Sequence, residues 1–141
     1  AELFGKGVAE PADTEQEFDV SSVMIDNFVK TMFSRKDYFA AVLVDCILSC
    51  NCFDITIDPQ QGPMYEFNLR KLVRSMTALD DGYILYFSRK YDIPYDLASH
   101  GISYVQNVPS GNMRKKIQNQ FDVLKHSELI NGLGGDFIHA D

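Results

Sequence analysis

The feature that most constrains the fold is a nearly continuous apolar run at residues 38–48, which only Asp45 interrupts. Its β-branched residues, among them Val42, Val44 and Ile47, leave a buried strand open as an alternative to a helix. The surrounding segment, residues 37–50, is long for a strand, and its length favours a buried helix. The run is far shorter than the ~20 residues that cross a bilayer, which argues against membrane insertion.

Amphipathic patterns on both sides of this run predict further helices. Asp19 or Ser21 can cap a helix that runs to about Arg35, since apolar residues recur there at helical spacing. A second amphipathic helix is predicted over residues 64–79. Residues 83–91 fit either a helix or a strand that pairs with residues 53–58. The helix is favoured because Asp80 and Asp81 suit a helix N-terminus.

Prolines and glycines divide the last third of the chain. Pro94 can begin a short helix through His100, which Gly101 then ends. Residues 102–109 are expected to form a loop or a short extended segment. Ser110 caps a final helix that runs to about Lys125 and carries an apolar stripe formed by Met113, Ile117, Phe121 and Leu124.

Apolar and polar residues alternate over residues 53–58, and this period of two predicts a strand. Phe53, Ile55 and Ile57 share one face, while Asp54, Thr56 and Asp58 share the other, as in a half-exposed strand. Residues 59–63, which include two prolines and a glycine, end it.

These patterns predict a mainly α fold with a minor β element: one compact helical domain with one or two short strands. The 141 residues suit one domain. We place the globular body at residues 20–131, an extended acidic arm at 1–19 and a flexible glycine-rich tail at 132–141.

The acidic arm carries most of the net charge. Residues 1–19 contain six acidic residues and one basic residue, so they hold five of the seven net negative charges of the chain. Such a segment buries too little apolar surface to offset its ordering entropy, and alone it should be disordered. The arm therefore indicates binding to a protein partner or to another copy of the chain.

The net charge of −7 makes direct binding to nucleic acid unlikely as a general property, since the phosphate backbone repels an acidic protein. The first residues lack the basic and apolar regions of a signal peptide, which predicts a cytoplasmic protein, or a virion protein if it belongs to a phage.

No constellation in the body indicates a reaction or a cofactor. Cys46, Cys50 and Cys52 lack the paired spacing of a structural zinc site, and we interpret Cys46 and Cys50 as small buried residues at the end of a helix, although metal binding stays open. Asp54 and Asp58 are interpreted as the solvated face of a strand. We therefore predict no catalytic residue, no metal ligand and no cofactor.

The candidate partner-binding residues fall into three sets. The acidic arm contributes Glu10, Asp13, Glu15 and Glu17. The predicted helices carry two basic groups that could receive such an arm from a neighbouring copy: Arg70, Lys71 and Arg74, and Arg114, Lys115 and Lys116. The tail contributes Phe137 and Ile138, an apolar pair beside Asp136, in the style of peptides that dock into grooves on partner proteins.

A partial resemblance links the last third of the chain to a known family. Residues 93–94, Ile-Pro, are followed by Val-Pro-Ser-Gly at 108–111 and Lys-Ile-Gln at 116–118. This series is similar to part of the late-transcription coactivators of T4-type phages, small acidic proteins that engage host RNA polymerase. It covers less than a quarter of the residues, and its spacing departs from the family pattern.

The sequence thus favours a non-enzymatic assembly or structural component of a multi-subunit complex, such as a phage or virus particle, that interacts through its N-terminal arm. The alternative is a small acidic regulator that binds a host enzyme such as RNA polymerase. The partner and the oligomeric state do not follow from the sequence.

Overall fold

The computed structural model of the protein describes residues 13–49 and 52–124. In chain order the elements are α1 (Asp13–Ser34), α2 (Tyr38–Ser49), β1 (Phe53–Asp58), β2 (Gly62–Phe67), α3 (Leu69–Thr77), α4 (Asp81–Tyr91), α5 (Tyr95–Gln106) and α6 (Ser110–Leu124). The predicted mainly α fold is confirmed. The boundaries proposed for the arm, the body and the tail stay predictions.

Helix α2 lies at the centre of the core, as its apolar sequence predicts. Every residue from Phe39 to Ile47 is buried, including Asp45. Helices α1, α3 and α5 pack against it. The choice between helix and strand for this segment is therefore settled for residues 38–49, while Cys50 lies outside the described residues.

Helix α1 packs on α2 through Ile25, Val29 and Phe33, which follow one another at a spacing of four residues and are all buried. It begins at Asp13, earlier than predicted, so residues 13–19 are helical and not extended, whichever residues belong to the arm. Pro11 sits just ahead of this start, and acidic residues in a first turn favour the helix dipole. Residues 1–12 lie outside the described residues.

The two strands form an antiparallel hairpin, and this corrects the prediction of a helix from residue 64. Strand β1 agrees with the prediction, but Phe53 pairs with Phe67 and Asp58 with Gly62, so residues 62–67 form a second strand. Gly62 has a φ of +86°, which glycine adopts readily at the end of a tight loop. Ile57, expected on the apolar face, is 77% exposed because it lies beside this loop.

Capping residues set the start of the next two helices. The Asn68 side chain accepts a hydrogen bond from the Lys71 N–H at the start of α3. The Asp80 side chain accepts one from the Tyr83 N–H at the start of α4, and α4 confirms that residues 83–91 are helical. Asp92 ends α4 with a φ of 52°.

Helix α5 corrects the prediction that Gly101 ends a helix, because it continues to Gln106 and includes residues expected to form a loop. Gly101 is buried, and a Cβ atom there would lie 2.6 Å from Phe33 Cζ and 2.7 Å from Tyr38 Cδ1. The glycine thus permits the close approach of α1 and α2 to α5. Helix α6 packs on α3 and buries Met113, Ile117 and Phe121, as its stripe predicts.

Within the described residues, no helix combines the length and the hydropathy needed to cross a bilayer.

Candidate functional site

The most unusual group inside the described part of the fold is the side chain of Asp45, a carboxylate that is fully buried in α2. Three tyrosines of α4 donate hydrogen bonds to it: Tyr83 Oη at 2.6 Å, Tyr91 Oη at 2.7 Å and Tyr86 Oη at 3.1 Å. Lys90 Nζ lies 3.5 Å from Asp45 Oδ1. We call Asp45, Tyr83, Tyr86, Lys90 and Tyr91 the tyrosine cluster.

Helical spacing explains how α4 supplies these groups. Tyr83, Tyr86 and Lys90 follow one another at spacings of three and four residues. Tyr91 lies eight residues after Tyr83, about two helical turns, and therefore on the same side as Tyr83. Phe87 belongs to the same side, with its ring centroid 4.8 Å from that of Tyr91 and 5.9 Å from that of Tyr83. The aromatic rings therefore pack on one another while their hydroxyl groups converge on α2.

Burial keeps the phenols of the cluster protonated. It raises the pKa of Tyr83 and of Tyr91 far above the ordinary range, and the negative charge of Asp45 adds to the effect. Burial also raises the pKa of Tyr86. For Lys90, burial lowers the pKa, but the hydrogen bond with Tyr86 and the attraction of Asp45 outweigh it, so the net shift is upward.

These protonation states define what the cluster can do. Protonated phenols and a charged lysine are donors, and the Asp45 carboxylate accepts from them and, at 3.3 Å, from Ser49 Oγ. A buried carboxylate with this many donors is stable only while they stay in place. The geometry therefore suits fastening α4 to α2.

The cysteines match the interpretation made from sequence as far as the structure describes them. Cys46 and Cys52 are buried thiols, and the Cys46 Sγ atom lies 3.8 Å from Tyr83 Oη. Cys50 lies outside the described residues. The described residues contain no group of three or more His, Cys, Asp or Glu side chains arranged to hold a metal ion.

The carboxylates of the hairpin have local partners. Asp54 accepts hydrogen bonds from Lys71 Nζ at 2.7 Å and Asn68 Nδ2 at 2.8 Å, and the bond from Lys71 lowers its pKa. Asp58 Oδ1 accepts from the N–H groups of Gln60 and Gln61 and closes the loop. Asp54 thereby ties the hairpin to α3.

The two predicted basic groups lie on helices that pack against each other, α3 and α6. Arg70, Lys71 and Arg74 are exposed on α3, although Lys71 is paired with Asp54. On α6, Lys115 is exposed and Lys116 Nζ lies 5.5 Å from the centroid of the Phe39 ring, while Arg114 is half-buried. The structure thus places the two groups on neighbouring helices.

The acidic candidates are only partly described. Asp13, Glu15 and Glu17 lie in the first turns of α1. Glu10, Phe137 and Ile138 lie outside the described residues.

Two surface features were not predicted. A pocket of about 500 Å³ lies between α1 and the last turns of α2 and α4, with Asp26, Leu48, Lys90 and Tyr91 in its walls. On α5, Leu97 and Tyr104 are each 58% exposed. They are seven residues apart, and this spacing is the signal that could have indicated a shared side of the helix.

The chain matches no protein-family model, and no curated protein or solved structure is significantly similar to it.

Proposed function

We propose that this protein is a non-enzymatic assembly component of a multi-subunit complex, such as a phage particle, and that it binds protein partners or further copies of itself through the acidic N-terminal region. The first turns of α1 are the described part of that region.

The observation that supports this proposal is the difference in length between α1 and α2, the helix on which it packs. Helix α1 has 22 residues and α2 has 12. Among residues 22–34 of α1, whose burial the structure describes, Ile25 is the first buried residue, and Val23, two positions earlier, is 63% exposed. At 1.5 Å per residue, the ten extra residues amount to about 15 Å of helix. Asp13, Glu15, Glu17 and Asp19 therefore belong to an extension of an anchored helix.

The basic residues of α3 and α6 are the proposed receiving surface within an assembly. Arg74 and Lys115 are exposed, as are Arg70 and Lys71. Opposite charges on two surfaces of one chain favour association between copies and fix its orientation.

Sedimentation velocity of the full chain tests the proposal. The variant E15K/E17K reverses two charges of the extension, and we expect it to associate less than the wild type with itself or with its partner. The variant D81K/D92K is the matched control, because it changes the net charge equally at exposed positions of α4 and its C-cap. Equal association of all three proteins would refute the proposal.

A second candidate function is an acidic regulator that binds RNA polymerase. The residues that resemble the T4-type coactivators follow consecutive elements: residues 93–94 precede α5, residues 108–109 lie between α5 and α6, and residues 110–111 and 116–118 lie in α6. Their position along consecutive elements favours this candidate. Pull-down with purified RNA polymerase distinguishes the two, since a stoichiometric complex supports regulation and self-association without polymerase binding supports assembly.

A further inference from the structure

Helix α5 presents an aromatic face that the tyrosine cluster does not use. The absence of a Cβ atom at Gly101 lets the Tyr38 ring lie against α5. There its centroid is 5.6 Å from that of His100 and 6.0 Å from that of Tyr104. Leu97 lies one turn before Gly101 on the same helix. We call Tyr38, Leu97, His100 and Tyr104 the aromatic face.

The size of this face indicates the kind of occupant. Four side chains from two helices offer far less than the ~800 Å² that each partner contributes to a standard protein interface. A short peptide segment with one or two apolar anchors fits such a surface, whereas the globular face of a second domain does not. Aromatic side chains with a polar tip are the residues that contribute most to such contacts.

The charges beside the face indicate the chemistry of the occupant. Arg35 and Lys36 are exposed and lie in the α1–α2 connection, within three residues of Tyr38. Asp96 is exposed in the first turn of α5, next to Leu97. An occupant with acidic residues is therefore attracted at the Tyr38 side and repelled at the Leu97 side, which fixes its direction.

One segment of this chain has that chemistry. Residues 135–141 read Gly-Asp-Phe-Ile-His-Ala-Asp, so Asp136 directly precedes the apolar pair while Asp141 follows it by three residues. The acidic residue next to the pair is the one that would face Arg35 and Lys36. We propose that the aromatic face binds residues 135–141 of a second copy of the chain, with Phe137 and Ile138 as the apolar anchors. This inference rests on the proposed assembly function and adds a second, separate contact to it.

Such a contact joins two different surfaces, so two copies can exchange segments reciprocally in a dimer, and further copies can join head to tail in rings or open chains. This property gives a test by complementation with the full chain. The variant L97E damages the face and leaves the segment intact, and the variant F137S/I138S does the reverse. Each variant alone should associate about tenfold less than the wild type, the size expected for loss of an interface anchor.

With E15K/E17K added to both variants, so that the acidic arm does not contribute, an equimolar mixture should form a heterodimer and nothing larger, because only one intact face and one intact segment can meet. Leu85 is 41% exposed on α4, so L85E is the matched control and should behave as the wild type does. Circular dichroism and thermal unfolding check that all variants fold. The charge-reversal variant R35E/K36E should weaken the mixed dimer, and added salt should do the same to the wild type.

A mixture that stays monomeric overturns the inference, as does equal behaviour of L97E and L85E. Association of L97E and of F137S/I138S that is as strong as that of the wild type overturns it too, as does binding of the segment to its own chain. The test is separate from that of the proposed function. If E15K/E17K associates normally while the complementation succeeds, the proposal for the acidic arm is refuted and the proposal for the aromatic face stands.

Discussion

Two aspartates of this protein, Asp45 and Asp54, have opposite surroundings. Comparing them distinguishes an interaction that stabilises the fold from one that contributes little to its stability. Asp45 is fully buried in α2 and is held by three phenols and a lysine of α4. Asp54 lies on the hairpin, is 39% exposed and is held by one lysine and one asparagine of the adjacent α3. Water can replace the partners of Asp54 but cannot reach Asp45, so the loss of one partner has different consequences at the two sites.

The largest effect is expected from D45N, which keeps the size of the side chain and removes its charge. Lys90 then loses its buried counter-charge, and at least one tyrosine loses an acceptor. Lys90 is 40% exposed, so water can hydrate its charge, and the loss comes from the buried tyrosine hydroxyls. Each hydroxyl left without an acceptor costs about 1–3 kcal/mol, and the free energy of unfolding should fall by the sum of these losses.

Urea unfolding monitored by circular dichroism measures the loss. D54N is the matched variant and should lower the free energy of unfolding much less. Equal losses for the two variants would contradict the contrast between the two sites.

A smaller effect is expected from Y91F, which removes one hydroxyl from the cluster and retains the ring. Asp45 then lacks a donor that lies 2.7 Å away, and the cost is about 1–3 kcal/mol. Y104F removes a hydroxyl from a tyrosine that is largely exposed, and it should change the free energy of unfolding by less than about 0.5 kcal/mol. Indistinguishable urea midpoints for Y91F and Y104F would mean that the hydroxyl of Tyr91 contributes nothing.

Alkaline pH should act on the buried site in a predictable direction. Burial raises the pKa of Tyr83 and Tyr91 far above 10, whereas the same phenols ionise near 10 in the unfolded chain. The unfolded state therefore loses protons first, so the free energy of unfolding falls as the pH rises above about 10. Absorbance at 295 nm should show these two phenols ionising only when the protein unfolds.

The double variant Y83F/Y91F gives the control for this pH dependence. It should be less stable at neutral pH, and its stability should fall less steeply above pH 10. An unchanged slope would place the alkaline sensitivity elsewhere in the protein.

The smallest effect concerns Asp54. The hydrogen bond from Lys71 lowers its pKa below the ordinary value of 3.8, so the pair stabilises the fold above that pH, and its contribution is lost as the pH falls through the lowered pKa. K71M should move the pKa of Asp54 back up, but only partly, because Asn68 Nδ2 still donates. Carboxyl NMR titration of the two proteins measures the shift, and an unchanged pKa would remove Lys71 as its main cause.

The same contrast explains how much of the fold could be predicted from the sequence. Helix α2 follows from the length and hydropathy of its own segment, and α4 follows from the acidic residues just before it. The hairpin was missed because residues 62–67 become a strand only by pairing with β1. Gly101 was misjudged for a similar reason, since its role is to admit Phe33 and Tyr38, which lie more than sixty residues earlier.

The candidate functional residues divide in the same way. The basic groups of α3 and α6 were recognisable because charge is a property of the residue itself. The tyrosine cluster was missed because its acceptor and its first donor are 38 residues apart. The sequence did contain a signal: a charged residue inside an apolar helix needs buried donors, and α4 repeats tyrosine at helical spacing.

We propose that the tyrosine cluster holds the fold and that the acidic turns of α1 and the aromatic face of α5 make contacts between chains. Hydrogen exchange of the full chain, compared at low and high protein concentration, tests it most directly. We predict slower exchange at high concentration in residues 13–19 and 95–106 and unchanged exchange in α2. Slower exchange confined to α2 and α4, with no change in α1 or α5, would contradict the claim.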